Sequence, residues 1–127
     1  MIVIDTSALM AIVGREEHGE ACARAIADSG DCMISAGTLA EAFIVSEGRD
    51  VGDVMAKLVG QTGLQTIPVT EATARHIRAA YRLWGKGFHP AGLNYGDCFA
   101  YALAKESGRA LLFLGNDFSR TDVRSVL

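Results

Sequence analysis

The sequence has only three cysteines, Cys22, Cys32 and Cys98, and no two of them form a CxxC pair. An odd number without paired spacing argues against a disulfide framework or a structural zinc site. Each cysteine sits in an apolar run and reads as a small buried hydrophobe. There are only two prolines. There is also no repeat, no low-complexity tract and no shift of composition, so nothing marks a linker. Residues 1–127 therefore read as one domain. No apolar run approaches the ~20 residues that span a bilayer. The opening Met1–Asp5 stretch has no basic residues ahead of its apolar run and carries a carboxylate, unlike a signal peptide. These absences lead us to expect a reduced, soluble, cytoplasmic protein with no membrane partner. Basic charge is not in excess either: 12 Lys and Arg stand against 15 Asp and Glu, a net charge of −3. That balance speaks against a protein that holds nucleic acid by bulk electrostatics.

Apolar residues are abundant: half the residues are hydrophobic and 21% are charged, enough for a real core. Short β-branched or apolar runs at Ile2–Asp5, Cys32–Ser35, Leu64–Val69 and Ala110–Leu114 predict strands. Between them, apolar residues recur at helical spacing. Thr6 or Ser7 can cap a helix that runs to Val13 and ends at Gly14. Further helices are predicted over Glu17–Ser29, from Gly37 to Gly48, over Val51–Val59, from Thr70 to Trp84, and over Tyr95–Glu106. Gly85–Gly96 reads as a loop with Gly, His and Pro. Strands alternating with helices predict a three-layer α/β/α domain around a mainly parallel sheet.

In open parallel sheets, sites form beyond the carboxyl ends of the strands. Asp5 closes the first strand, and Asp117 follows the last one across Gly115-Asn116. Glu41 and Asp97 lie within otherwise apolar helices, where an unpaired carboxylate is costly to bury. Blander roles exist: Asp97 suits the first turn of a helix through the macrodipole, and Glu41 suits an exposed helix face. Taken together, four acids with few His or Cys near them suggest a hard-cation site for Mg²⁺ or Mn²⁺. The usual chemistry of such clusters is phosphodiester hydrolysis by metal-activated water.

The motifs themselves resemble a known family. Met1-Ile-Val-Ile-Asp5-Thr-Ser7, Ser35-Ala-Gly-Thr-Leu-Ala-Glu41, Asn94-Tyr-Gly-Asp97-Cys-Phe-Ala-Tyr-Ala-Leu-Ala and Leu111-Leu-Phe-Leu-Gly-Asn116-Asp117 resemble, in order, the four motifs of PIN-domain nucleases. The similarity is greatest to VapC-type toxins of bacterial type II toxin–antitoxin systems, and it spans essentially the whole chain. It implies a PIN-like fold and a Mg²⁺-dependent endoribonuclease whose catalytic and metal-binding acids are Asp5, Glu41, Asp97 and Asp117. Many PIN domains carry two acids at the fourth motif. Here Asn116 stands beside Asp117 and offers a neutral oxygen. Ser7 would bond a metal-bound water or a carboxylate, a role that helix capping explains nearly as well. The resemblance also implies a cognate antitoxin that covers the site, and a homodimer. The helices Glu17–Ser29 and Val51–Val59 are candidate surfaces for either, against the plainer reading of ordinary core.

Arg15, Arg82, Lys86, His89 and Arg120 flank the motifs and could contact RNA phosphates, although any one of them also reads as solvated surface. For His89, beside Pro90, a structural role in the loop is the simpler reading. Tyr95 and Phe118 could stack bases, with core packing the simpler reading of Phe118. Two functions of other classes remain open. One is a non-catalytic PIN-like module that binds RNA or protein. The other is a phosphatase with Asp5 as nucleophile, although such enzymes usually carry an acid where Ser7 stands. Set aside the four site acids and 11 of the 15 remain, against 12 basic residues. A cluster neutralised by bound cations would thus leave a scaffold of near-neutral to positive charge to meet RNA.

Overall fold

The computed structural model describes residues 1–127. Its elements run β1 (Ile2–Ile4), α1 (Thr6–Val13), α2 (Gly19–Ser29), β2 (Cys32–Ser35), α3 (Ala36–Gly48), α4 (Gly52–Thr62), β3 (Gln65–Ile67), α5 (Glu71–Trp84), α6 (Tyr95–Ser107) and β4 (Leu111–Leu112). The strands form one parallel sheet in the order β3-β2-β1-β4. β1 is central and buried along its length. Its side chains alternate between two cores, as strand geometry demands. Ile2 and Ile4 join Leu9, Met10, Ile34 and Met55 on one face. Val3 joins Cys98, Tyr101, Phe113 and Phe118 on the other. β4 splits in the same way, Leu112 to the first core and Leu111 to the second. This division makes the expected three-layer α/β/α architecture. All three cysteines are free and buried, and no helix is long and apolar enough to cross a membrane.

The strands are shorter than the apolar runs that announce them. The run at Ala110–Leu114 pairs only over Leu111–Leu112 because Leu114 gives its N–H to the Ser7 hydroxyl, not to a neighbouring strand. The run at Leu64–Val69 pairs only over Gln65–Ile67, on the exposed edge of the sheet. α2 begins at Gly19, not Glu17, because Arg15 (φ 50°) and His18 (φ 69°) take the left-handed conformation of a turn. α3 and α6 start where expected, within a residue. α3 continues through Gly48 to a cap at Arg49. α4 runs three residues past the expected Val59.

The cap of α1 is neither Thr6 nor Ser7. Asp5 holds that position, with φ −95° and ψ 157°, and its carboxylate accepts the Ser7 N–H. The second helical layer is tied down by a polar chain. The Trp84 indole N–H donates to the Tyr101 hydroxyl at 2.8 Å, and that hydroxyl donates to Asp122 at 2.6 Å. Lys105 meets the other oxygen of Asp122 at 3.0 Å. The C-terminal segment then covers the outer edge of β4 through a parallel bridge between Leu111 and Ser125.

One polar atom fits this core badly. Thr38 is fully buried and its hydroxyl has no hydrogen-bond partner. Replacing it with the isosteric Val removes an unsatisfied group without opening a cavity. Thr38→Val is expected to raise the midpoint of urea unfolding, by about 1 kcal/mol; an unchanged or lower midpoint would show that the hydroxyl is satisfied in solution.

Candidate active site

Beyond the carboxyl ends of β1 and β4 lies a cleft of about 380 Å³. Asp5, Glu41, Asp97 and Asp117 all line it, so the fold brings together the four acids singled out in the sequence. Asp5 leaves β1 and turns at once into the first turn of α1. Ser7 fixes it there: the N–H at 3.0 Å and the hydroxyl at 2.6 Å both bond Oδ2. The same hydroxyl accepts the Leu114 N–H at 3.0 Å, which ties the end of β4 to the carboxylate of β1. Of the two roles open to Ser7, bonding a carboxylate is the one observed.

Asp97 sits in the first turn of α6, where it and Asn94 cap the helix reciprocally. Asn94 gives its N–H to Asp97 Oδ2 at 3.0 Å, and Asp97 returns its own N–H to Asn94 Oδ1 at 2.9 Å. Glu41 projects from α3 and is half-buried, with Oε1 accepting the Thr6 hydroxyl at 2.7 Å. In each of these three residues one oxygen takes the side-chain hydrogen bonds and the other takes none. Gly96 is required by Glu41: a Cβ at Gly96 would collide with Glu41 Oε2. Asp117 is exposed at the rim, and Asn116 beside it does not line the cleft.

Electrostatics make this arrangement costly. Asp5 and Asp97 are only 5% and 9% exposed, and no Lys, Arg or His pairs with either. Burial pushes the Asp5 carboxyl above the ordinary 3.8; the two Ser7 bonds oppose that rise and Glu41 adds to it. Burial likewise pushes Asp97 up to about 7; the Asn94 N–H opposes the rise, and the charges of Asp117, Asp5 and Glu41 reinforce it. A carboxylate cluster without cations is thus held against its own repulsion.

The donor set is all oxygen and suits a hard divalent cation that keeps several waters. No three His, Cys, Asp or Glu side chains converge into a ready-formed metal-binding group; the acids ring a cleft rather than a point.

Several residues at the cleft escaped the sequence reading. Arg49 is the only cation that lines it, and it is engaged in no ion pair. Glu41 and Val45 of α3 and its cap residue Arg49 all face the cleft at steps of four, a stripe whose last member lies just past the helix end at Gly48. Glu16, Glu17 and Asn94 also line it.

The cations expected near the site lie elsewhere. Arg15 lines the neighbouring hollow of the α1–α2 turn. Arg82, Lys86 and Arg120 are exposed and outside the cleft. His89 is a structural residue of its loop: Nδ1 accepts the Ala91 N–H at 2.9 Å and the ring stands edge-on to Trp84. Phe118 is core, 1% exposed against Phe113, and is no base platform. Tyr95, by contrast, is 77% exposed.

Comparison with known proteins agrees with this geometry. The PIN domain family model matches residues 2–124. The chain is 44% identical to Ribonuclease VapC of Mycolicibacterium smegmatis, over 98% of this chain and 99% of that protein. It is 42% identical to Ribonuclease VapC30 of Mycobacterium tuberculosis, over 98% of both. In fold it is similar to the crystal structure of M. tuberculosis VapC20, described as a Sarcin-Ricin loop cleaving toxin. The TM-score is 0.81 at 17% identity, covering 99% of this chain and 98% of that one.

The raised Asp97 carboxyl sets a pH dependence. Between about pH 4 and 7 the native chain keeps a proton that the unfolded chain releases. Stability from this group is present at low pH and is lost as pH rises through 7. In EDTA, Asp97→Asn should therefore gain on the native sequence as pH goes from 5 to 8, reaching about 2 kcal/mol. Chemical unfolding at the two pH values reads this difference; an equal gap at both would mean an ordinary carboxyl.

Proposed function

The chain belongs to the PIN-domain family, within its VapC group, and from that premise we propose that it is a divalent-metal-dependent endoribonuclease, the toxin of a type II toxin–antitoxin pair. The observation that carries the reading is the cleft itself. Two buried carboxylates and two more acids face one space at the strand ends, with no cation of the protein paired to any of them. Such an arrangement is poor for stability and suited to a charged ligand.

Asp5, Asp97 and Glu41 would hold Mg²⁺ (or Mn²⁺) through the oxygens their hydrogen bonds leave unused, with Asp117 at the rim. The cation, when bound, would polarise the phosphodiester and lower the pKa of the attacking water. The chain supplies the orientation. Ser7 fixes Asp5, Asn94 fixes Asp97 and Thr6 fixes Glu41, so three carboxylates are set before substrate arrives. Arg49 can take a non-bridging oxygen of a neighbouring phosphate. Its partners would be RNA, a cognate antitoxin that blocks the cleft, and a second copy of the chain, acting in the cytoplasm.

A non-catalytic module that binds RNA or protein is the second reading, favoured by the spread of the acids. Metal-dependent turnover separates the two. Purified chain should cleave single-stranded RNA in Mg²⁺ and not in EDTA. Asp5→Asn and Asp97→Asn should each lower the rate by at least ~100-fold. Cleavage that survives chelation or both substitutions would overturn the mechanism; binding without cleavage would favour the module.

Gly96 gives a finer test. A methyl group there pushes against the far end of the flexible Glu41 side chain, so the fold should tolerate it. Gly96→Ala should keep the melting temperature within a few degrees (~1 kcal/mol) while weakening Mg²⁺ binding measured by calorimetry, as Glu41→Gln does. Unchanged metal affinity in both variants would remove Glu41 from the ligand set.

A further inference from the structure

Positive charge is segregated in this acidic chain. From Ala72 to Gly96 there is no Asp or Glu, while Arg75, Arg78, Arg82 and Lys86 lie in that stretch. The three arginines recur at steps of three and four on α5, so they share one side of the helix. Arg75 is paired with Glu71 at 2.7 Å; Arg78 and Arg82 are in no ion pair.

Beside this stripe, α5 and α6 leave an open groove of about 550 Å³. Its walls are Val69, Ile77, Tyr81, Tyr95 and Phe99, with Arg78 the only charged residue among those lining it. Tyr95 and Phe99 form a T-shaped pair, with ring centroids 5.1 Å apart and planes at 85°, and Tyr95 stays largely exposed. Val69 and Phe88, whose ring stands edge-on to Tyr81, are also exposed.

The groove adjoins the acid cleft. Tyr95 and Asp97 are the first and third residues of α6, ~3 Å apart along its axis. Two residues turn a helix by about 200°, so one side chain faces the groove and the other the cleft.

We propose that this groove is a single-stranded RNA subsite: an unstacked base of the substrate lies on Tyr95, and Arg78 takes the backbone phosphate beside it. The inference rests on the ribonuclease reading above and adds to it the place where the strand is held. Three features favour RNA over a protein occupant. No acid lies among the cations over 25 residues, and Arg78 and Arg82 are in no ion pair. The exposed apolar surface is largely aromatic, the kind on which bases stack. The groove and the proposed point of cleavage lie on either side of the first turn of α6, one lined by Tyr95 and the other by Asp97.

The test uses the full chain and a fluorescent single-stranded oligoribonucleotide of mixed sequence carrying one 2-aminopurine. Binding is measured by anisotropy in EDTA, apart from cleavage. Tyr95→Ala should weaken binding about tenfold and abolish the 2-aminopurine quench. Tyr95→Phe should behave as the native sequence. Arg78→Ala should weaken binding and reduce the slope of log affinity against log salt by about 0.7. Arg24→Ala, on α2, should change neither affinity nor quench.

If the native chain cleaves RNA while Tyr95→Ala and Arg78→Ala bind and cleave as it does, the groove proposal falls and the ribonuclease stands. If those variants lose binding but the native chain never cleaves in Mg²⁺, the groove stands and the ribonuclease reading falls. If Tyr95→Ala instead turns a dimer into a monomer by sedimentation, with RNA affinity unchanged, the occupant is a second copy of the chain and the proposal is overturned.

Discussion

Two carboxylates buried at the edge of a sheet, with no cation of the protein beside them, are the constraint on which the rest of this structure turns. Removing a charge from water is tolerable only where something else solvates it. Here backbone N–H groups and hydroxyls do so. Asp5 is solvated by the first turn of α1, and Asp97 by the capping exchange that begins α6. The acids are therefore not additions to a finished scaffold. They start two of its helices, and the groups that would hold a cation are the groups that set where those helices begin. The hydrogen bonds that begin these helices also solvate the carboxylates, which explains why the cluster survives its own repulsion.

Much of this was legible from sequence because it is local. A strand that ends in Asp5, and a helix whose first turn holds Asp97 after Asn94, are patterns within a few residues. The three-layer order followed from alternating apolar runs. What was hidden depends on contacts between distant segments. Thr6 reaches Glu41 across 35 residues, and nothing in either neighbourhood announces it. The capping role of Asp5 was obscured because Thr6 and Ser7 are also good caps, and only the backbone geometry decides among them. Arg49 was missed because it stands just beyond the end of α3 at Gly48, and only as the cap residue does it complete the stripe that begins at Glu41. For His89 the simpler reading from sequence, a structural role in its loop, is the one the geometry matches: its acceptor nitrogen is filled by the backbone N–H two residues on.

The net charge of −3 conceals an uneven molecule. Six acids and one arginine line the cleft, while one stretch of 25 residues carries only positive charge. Averages over the chain erase this contrast, yet a polyanion would feel the local fields and not the sum. The helix between the two regions is also among the best anchored. α6 buries Cys98, Phe99, Ala100, Tyr101, Ala102 and Ala104, and Tyr101 joins it to Trp84 of α5 and to Asp122. Burial and the bond to Asp122 push the Tyr101 hydroxyl up to about 12, so it remains a donor at any physiological pH.

The sheet order carries a consequence for how the chain comes into being. β1 is made well before β4, yet they are neighbours, and the Leu114 N–H meets the Ser7 hydroxyl across 107 residues. Asp5 is made long before Asp117. Closing so long a loop is slow relative to local pairing, and no part of the cleft is complete until it closes. The cleft is therefore a late product of folding: each acid exists on its own segment well before the four come to share one space.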